Sequence, residues 1–269
     1  MNNIISNFHT HTTFCDGKNT PAEIASYAAA NGFSSLGFSG HGYTPYDLRY
    51  CMKDTDGYIL EIERLKAEYT DLQIYLGVEE DAFAPVDRSR FDYIIGSSHY
   101  FCINGEYLPI DSSHGHFKKC LEAFGGDIIK MANVYFTSFC DYINKRKPDI
   151  IGHFDLITKF DELEGGLFFG NQEYNKLSEK YLLEAAKSEC IFEVNTGAIS
   201  RGIRSTVYPA ENLLYLLKKQ DGKLILSSDS HQIETIVSFF EESKKYLYDI
   251  GFRRVYTLLD GKFIAYPLI

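Results

Sequence analysis

Ile4-Ile5-Ser6-Asn7-Phe8-His9-Thr10-His11 opens the chain as an apolar run ending in two histidines, and Cys15-Asp16-Gly17 follows shortly after. If residues 4–11 form a strand, His9 and His11 stand at i and i+2, so both imidazoles project from one face. Two neutral imidazoles converging at a strand end make half of a divalent-metal site. The arrangement recurs in Leu36-Gly-Phe-Ser-Gly-His41, Ile74-Tyr-Leu-Gly-Val-Glu79 and Ile94-Ile-Gly-Ser-Ser-His99, and again in Ile150-Ile-Gly-His153 and Leu224-Ile-Leu-Ser-Ser-Asp229-Ser-His231. Six apolar runs closed by His, Glu or Asp require a common explanation.

Helices are expected between these runs. Thr20-Pro21-Ala22-Glu23 combines a Thr cap, Pro at N1 and Glu at N3, and the helix it starts stops at Asn31-Gly32. A strand over 35–39, a helix over 54–70 and strands over 73–79 and 91–99 follow, the strands apolar enough to be buried on both faces. The interval 100–147 is the longest. It reads as a loop at Asn104-Gly105-Glu106 and two helices (115–124 and 126–146) with no strand set of its own, an elaborated connection after the fourth strand. Strands at 148–153, 190–196 and 223–229 alternate with helices at 173–188, from Pro209 to about 221, and at 235–250. A short strand at 254–258 is closed by Asp260-Gly261, and the glycines at 165, 166 and 170 mark an irregular loop over 158–172. Seven or eight short strands alternating with helices predict an α/β fold, a β/α barrel. With no linker or internal repeat, residues 1–269 read as one domain. In such a barrel every strand ends at one mouth, where the six endings would meet.

At 45% hydrophobic over 269 residues the chain can bury a large core, and a net charge of -10 argues against a duplex nucleic-acid binder. It does not exclude an anionic substrate, because bound cations can outweigh acidic side chains locally. Residues 1–30 contain no apolar stretch of signal length and no later run approaches eighteen apolar residues, so a soluble cytoplasmic protein with no membrane partner is expected. The six cysteines (15, 51, 102, 120, 140 and 190) form no C-x-x-C pair and are expected as free thiols. Twenty Tyr and twenty Phe are expected mostly in the core.

The metal-ligand candidates are His9, His11, Asp16, His41, Glu79, His99, His153, Asp229 and His231. A carboxylate ending an apolar strand, as Glu79 does, is costly unless compensated; a metal compensates it, and a glutamate can bridge two ions. Asp16 can fold back over the mouth, and Cys15 is left out because a carboxylate suits a site that exchanges water. Asp229 and His231 are expected to share a strand face. Glu80 alternates away from Glu79 into a structural bond or solvent, and Asp81 is placed in support. His114-Gly-His116 has no strand run before it and reads as surface or capping. Nine donors exceed the three or four of one zinc, so two or three divalent transition-metal ions are expected, Zn, Fe or Mn, among which the side chains do not select.

His9-Thr-His11 with Cys15-Asp16-Gly17, Ser39-Gly-His41, Gly77-Val-Glu79, Gly96-Ser-Ser-His99, Gly152-His153-Phe-Asp155, Glu193-Val-Asn195 and Ser228-Asp229-Ser-His231 resemble the PHP (polymerase and histidinol phosphatase) superfamily, and within it the monofunctional L-histidinol-phosphate phosphatase branch. Asp16 stands where several relatives carry histidine, and aspartate there is the form usual in that branch. The resemblance implies a distorted (β/α)7 barrel with a trinuclear centre. His9 and His11 would share one ion with bridging Glu79 and Asp229, His99 and His153 would join Glu79 on a second, and Asp16, His41 and His231 would hold the third. It implies metal-dependent hydrolysis of L-histidinol phosphate to L-histidinol and phosphate, a step of histidine biosynthesis, by a metal-activated hydroxide, with Asp229, His231 and Glu79 in catalytic roles. Arg201, Lys159 and Arg204 are the basic candidates for the phosphate, and Asn195 is expected to orient ligands or substrate. Glu106, with Tyr100, Phe101 and Phe168, is the candidate wall for the ammonium and imidazole. The expected partner is this small phosphorylated substrate, and a homo-oligomer is left open. Three alternatives stand: a PHP phosphoesterase for another phosphomonoester or nucleotide, amidohydrolase-like C–N hydrolysis, and a closed metal-binding protein.

Overall fold

Short apolar strands alternate with helices throughout the computed structural model, which describes residues 5–269; the expected strand start at Ile4 lies outside them. In chain order the elements are β1 (Ser6–Asn7), α1 (Pro21–Ala30), β2 (Ser35–Phe38), α2 (Thr55–Glu68), β3 (Gln73–Asp81), β4 (Tyr93–Ser97), β5 (Tyr100–Ile103), β6 (Glu106–Pro109), α3 (His114–Ala123), α4 (Ile128–Arg146), β7 (Ile150–Ile151), α5 (Gln172–Ala186), β8 (Ile191–Asn195), α6 (Gly197–Ser200), α7 (Glu211–Lys219), β9 (Leu224–Ser227), α8 (Phe240–Ile250), β10 (Arg254–Leu259) and β11 (Lys262–Pro267). The start of α1 obeys its sequence. Thr20 Oγ1 accepts from the Glu23 N–H at 3.2 Å while the Glu23 carboxylate accepts from the Thr20 N–H at 2.8 Å.

One sheet carries the order β1-β2-β3-β4-β7-β8-β9-β10-β11, parallel as far as β10 and antiparallel at its last pair. Its two sides meet at the mouth. Thr10 and Ser230 form a parallel bridge, with the His11 N–H donating to Ser230 O at 2.8 Å and the Ser230 N–H to His9 O at 3.1 Å. The seven parallel strands β1–β4 and β7–β9 therefore curl into a barrel, distorted because β1 and β7 are two residues long. At the other end the β10–β11 hairpin packs against the opening, Thr257 Oγ1 donating to Ser6 Oγ at 2.9 Å and Gln73 Nε2 to Asp260 Oδ1 at 2.9 Å. Helices α1 and α2 cover one flank through Ile24, Tyr58, Ile62 and Leu65, and α4, α5 and α7 cover the other through Phe136, Phe139, Leu182 and Leu214.

The barrel interior is filled by Phe8, Tyr75, Tyr93, Ile95, Ile150, Ile191, Ile225 and Leu258. Tyr93 is its centre, its hydroxyl donating to Phe8 O at 2.6 Å. Its ring fits only because β2 and β3 carry no side chain opposite it: a Cβ at Gly77 would lie 2.2 Å from Tyr93 Cζ, and one at Gly37 2.3 Å from its hydroxyl. Gly77→Ala should therefore overpack the floor beneath Glu79 and cost about 2–3 kcal/mol of stability in chemical denaturation. An unchanged denaturation midpoint would mean that the ring has room to move.

Two expectations need correction. The interval after β4 does carry strands: β5 and β6 form an antiparallel hairpin turning at Asn104 (φ 51°) and Gly105 (φ 84°). Likewise Asp260 (φ 49°) and Gly261 (φ 70°) do not end the last strand but turn it back into β11. Two consecutive positive-φ residues are the twist-matched hairpin turn. The last two helices also start later than expected, α7 at Glu211 and α8 at Phe240. Among the described residues no helix is long and apolar enough to cross a membrane, and all six cysteines are free thiols.

Candidate metal centre

Glu79, 1% exposed on β3, is the hub of the mouth. Its Oε1 lies 3.0 Å from His153 Nε2 and 3.2 Å from His99 Nε2. Its Oε2 lies 2.8 Å from His41 Nδ1, 3.3 Å from His9 Nε2 and 3.6 Å from His11 Nε2. Beside it, Asp229 Oδ1 is 3.2 Å from His11 Nε2 and 3.7 Å from His9 Nε2. Asp16 stands over the outer side, 3.6 Å from His11 Nδ1, 3.8 Å from His41 Nε2 and 3.4 Å from His231 Nε2. All nine candidates are thus brought together. Their donor atoms fall into four overlapping groups, each within 4.8 Å: His11–Asp16–His41–His231, His9–Glu79–His153, His9–His11–Asp229 and His41–Glu79–His99. One detail differs from expectation. Asp229 and His231 lie past the end of β9, and Asp229 has φ 48°, so a left-handed turn and not strand alternation aims them inward.

A second layer orients the imidazoles. His9 Nδ1–H donates to Glu193 Oε1 at 2.5 Å, which leaves its Nε2 facing Glu79. Glu193 also accepts from Ser227 Oγ at 2.5 Å, the His153 N–H at 2.7 Å and Asn195 Nδ2 at 3.0 Å. Asp81 Oδ2 accepts from the His99 backbone N–H at 3.0 Å and lies 3.3 Å from its Nδ1, while Tyr46 donates to Asp81 Oδ1 at 2.5 Å. His231 stacks on His11 with ring centroids 4.0 Å apart, its Nδ1–H donating to Asp229 O at 3.0 Å.

These residues fit divalent cations. Nε2 of His9, Nε2 of His11 and Oε2 of Glu79 are all buried and, among the described residues, have no hydrogen-bond partner. His41 Nδ1 comes within 2.8 Å of Oε2 but without hydrogen-bond alignment, so its contact does not satisfy that oxygen. Converging buried donors without partners are costly in a folded chain and are relieved by a cation held among them. Burial pushes His11 down, the neighbouring His231 and His41 push it further, and it reaches about 3, so this imidazole is neutral at pH 7. Burial also opposes a charged His9, but Glu193, Glu79 and Asp229 outweigh it and raise His9 well above its usual value. Burial would raise Glu79 and Asp229. His9, His41 and His99 hold Glu79 well below the carboxylate range instead, and Arg201 and His9 do the same for Asp229. Ionised carboxylates are the ligand form, and a cation held here would take the place of the second proton of His9, on Nε2.

Above this floor opens a cleft of about 360 Å³ whose walls include Arg201, Lys159, Arg49, Asp47, Asp111 and Tyr50. Arg201 and Lys159 are where the sequence reading put them, and Tyr100 also lines the cleft. The other substrate candidates are corrected. Arg204 is 3% exposed, packs 4.0 Å over the Tyr208 ring and donates to Thr158 Oγ1 at 2.9 Å, so it braces two loops without reaching the cleft. Asn195 is wholly buried. Its amide is taken by Glu193 and its Oδ1 accepts from the Gly197 N–H at 2.8 Å, so it orients Glu193 and not substrate. Glu106 is exposed at the start of β6 and does not line the cleft, and Phe101 and Phe168 pack in the core. His114 pairs with Glu164 and His116 Nδ1 lies 2.8 Å from the capping Ser113, both on α3 and outside the cluster. Glu80 is structural, accepting from Arg146 Nε at 2.7 Å and Tyr142 OH at 2.6 Å. Asp47, Arg49 and Tyr50 escaped the sequence reading. Their signal was position, on the long loop that leaves the ligand candidate His41.

Imidazoles and carboxylates gathered at the mouth of a parallel β/α barrel, beneath a cleft lined by both cationic and anionic side chains, define a metal-dependent hydrolase. Residues 7–197 match the model of the PHP domain, and the chain belongs to the PHP domain family. It is 29% identical over 279 residues to a probable histidinol-phosphatase of Schizosaccharomyces pombe, covering 94% of this chain and 89% of that protein. It is 26% identical to a probable histidinol-phosphatase of Deinococcus radiodurans over 92% of this chain and 94% of the relative. Two solved structures share the fold. A putative histidinol phosphatase of Listeria monocytogenes superposes with TM-score 0.75 at 20% identity, covering 88% of this chain and 99% of that one. A histidinol phosphate phosphatase of Lactococcus lactis, solved with Zn, L-histidinol and phosphate, superposes with TM-score 0.70 at 20% identity, covering 96% and 98%.

Proposed function

We propose that the chain hydrolyses L-histidinol phosphate to L-histidinol and phosphate, as a cytoplasmic step of histidine biosynthesis. The observation that carries this reading is the set of buried atoms with no partner among the described residues, His9 Nε2, His11 Nε2 and Glu79 Oε2, turned toward one another at the base of a cleft that Arg201 and Lys159 line. We assign two or three divalent ions, Zn, Fe or Mn, to the groups built on His9–His11–Asp229, on Glu79 with His99 and His153, and on Asp16–His41–His231. When bound, such ions supply Lewis acidity, drawing charge from phosphoryl oxygens and acidifying water.

The remaining roles fall to the chain's own groups. Arg201, oriented by Asp229 through bonds of 3.0 Å from Nη1 and Nη2, presents its guanidinium to the phosphate, with Lys159 as the second cation. A primary alkoxide is a poor leaving group and needs a proton. Asp229 and His231 flank the cleft floor, the His231 side chain 28% exposed to it, and we assign the proton transfer to them. Buried Glu79, which faces His9 and His153 in one donor group and His41 and His99 in another, would hold cations together with them. The relatives named above, several of them histidinol-phosphatases matched over most of their length, support the substrate.

The test is phosphate release by metal-analysed protein from L-histidinol phosphate, p-nitrophenyl phosphate, glycerol phosphate and AMP. A parallel His9→Ala preparation reports contaminating phosphatase. The expected result is a preference for L-histidinol phosphate of at least about 100-fold in kcat/KM, the scale set when a site is built to bond a substrate's polar groups. Equal turnover of all four, or preference for the nucleotide, would move the assignment to another phosphomonoester.

A further inference from the structure

Among the carboxylates lining the cleft, Asp16, Glu79 and Asp229 belong to the metal-ligand set. Asp47 is engaged on both oxygens, by Arg49 Nε at 2.8 Å and Nη2 at 2.5 Å and by the Tyr100 hydroxyl at 2.9 Å. Asp111 is different. It follows β6, where the Ile110 N–H donates to His99 O at 2.8 Å and pins the chain beside the end of β4. Its Oδ2 accepts from Lys159 Nζ at 2.9 Å, and the same Nζ donates to Asp111 O at 2.9 Å. Among the described residues its Oδ1 has no hydrogen-bond partner. The cleft wall thus carries one cation and one anion side by side, with half of the anion uncommitted. Burial would raise the Asp111 carboxyl, but Lys159, then His99, hold it down at about 2, so its charge persists at neutral pH.

L-Histidinol phosphate carries its ammonium and its phosphate ester on neighbouring carbons. Recognition of that pair needs an acceptor and a donor at adjacent points on a wall, and the Asp111–Lys159 pair supplies both. We propose that Asp111 determines specificity for the substrate's amine, Oδ1 accepting from the ammonium while Lys159 serves the phosphate. This rests on the functional reading above and extends it from a phosphomonoester to an amino-alcohol phosphate. It also gives the cleft a means of rejection. A phosphomonoester without an ammonium places its dianion beside the Asp111 oxygen that Lys159 leaves unpaired, and such a like-charge approach is a second means of discrimination beside good contacts.

The test compares kcat/KM for L-histidinol phosphate with that for its deamino analogue, 3-(imidazol-4-yl)propyl phosphate, using metal-loaded wild type, Asp111→Asn and Asp111→Glu. The ratio of the two constants within one preparation does not depend on the fraction of active protein, so imperfect folding of a variant cannot imitate the effect. Wild type should favour the amine by about 10- to 100-fold, the range of a hydrogen bond to a charged group. Asp111→Asn should bring the ratio close to one, and Asp111→Glu, which keeps the charge, should restore part of it. An Asp111→Asn ratio equal to that of wild type overturns the proposal. So does a wild type that treats both imidazole substrates alike, which would leave the phosphatase reading standing. A wild type that ignores both while hydrolysing another phosphomonoester overturns the functional reading itself.

Discussion

Glu79→Gln should lower kcat/KM by at least about 1,000-fold and strip the protein of most of its bound metal, the largest effect expected of any single substitution. One buried carboxylate faces five imidazoles within 3.6 Å, and the substitution replaces its charge with an amide of the same shape. The amide's nitrogen would turn a donor toward whichever histidines it faces. An oriented charge in a water-excluded site is commonly worth about 100- to 1,000-fold in rate even when it is only one of several, and here the same group is also proposed to hold the cations. The amide fills the same volume as the carboxylate, so the barrel should remain folded by circular dichroism, which separates loss of the centre from loss of the fold. A variant retaining its full metal content with activity within tenfold of wild type would remove Glu79 from the hub.

Removal of metal should have an effect of similar size and be fully reversible. After chelation and dialysis, hydrolysis should fall to background, and stoichiometric Zn, Mn or Fe(II) should restore it, the best of these identifying the working metal. The same titration should raise thermal stability. A ligand at 1,000 times its dissociation constant adds about 4 kcal/mol, and in a chain of this size each kcal/mol moves Tm by about 2–4 °C, so a rise of about 8–16 °C is expected. The stabilisation would have a local source, because cations would satisfy the His9, His11 and Glu79 atoms that have no partner among the described residues. Metal-free protein, verified by elemental analysis, that still hydrolysed substrate at the original rate would end the proposed chemistry.

The site was legible in the sequence because its ligands sit where strand periodicity gives way to the barrel mouth. His9, His41, Glu79, His99 and His153 each close an apolar run, and all strand ends in a parallel barrel face one way. What was not legible divides into two kinds. The two hairpins were missed although Asn104-Gly105 and Asp260-Gly261 are the dipeptides such turns favour, since the short strands flanking them show little alternation. Arg204, and Asn195 as a substrate contact, were misplaced for another reason. A charged or amide side chain one turn beyond a strand end can point into the mouth or back under it, and only packing decides. Tyr208 and Thr158 draw Arg204 under, and Glu193 draws Asn195. Asp111 lies in a connection whose path depended on the missed hairpin.

The bridge between Thr10 and Ser230 joins the first strand to the neighbourhood of the seventh, and the ligands on either side of it are His9 and His11 from one end of the chain and Asp229 and His231 from the other. A ribosome releases these two halves of the cluster far apart in time. Until residue 231 has been made the nascent chain offers only an incomplete ring of donors. Ion capture would thereby wait for the seventh strand, and cations held by these residues would act as a clasp across the seam.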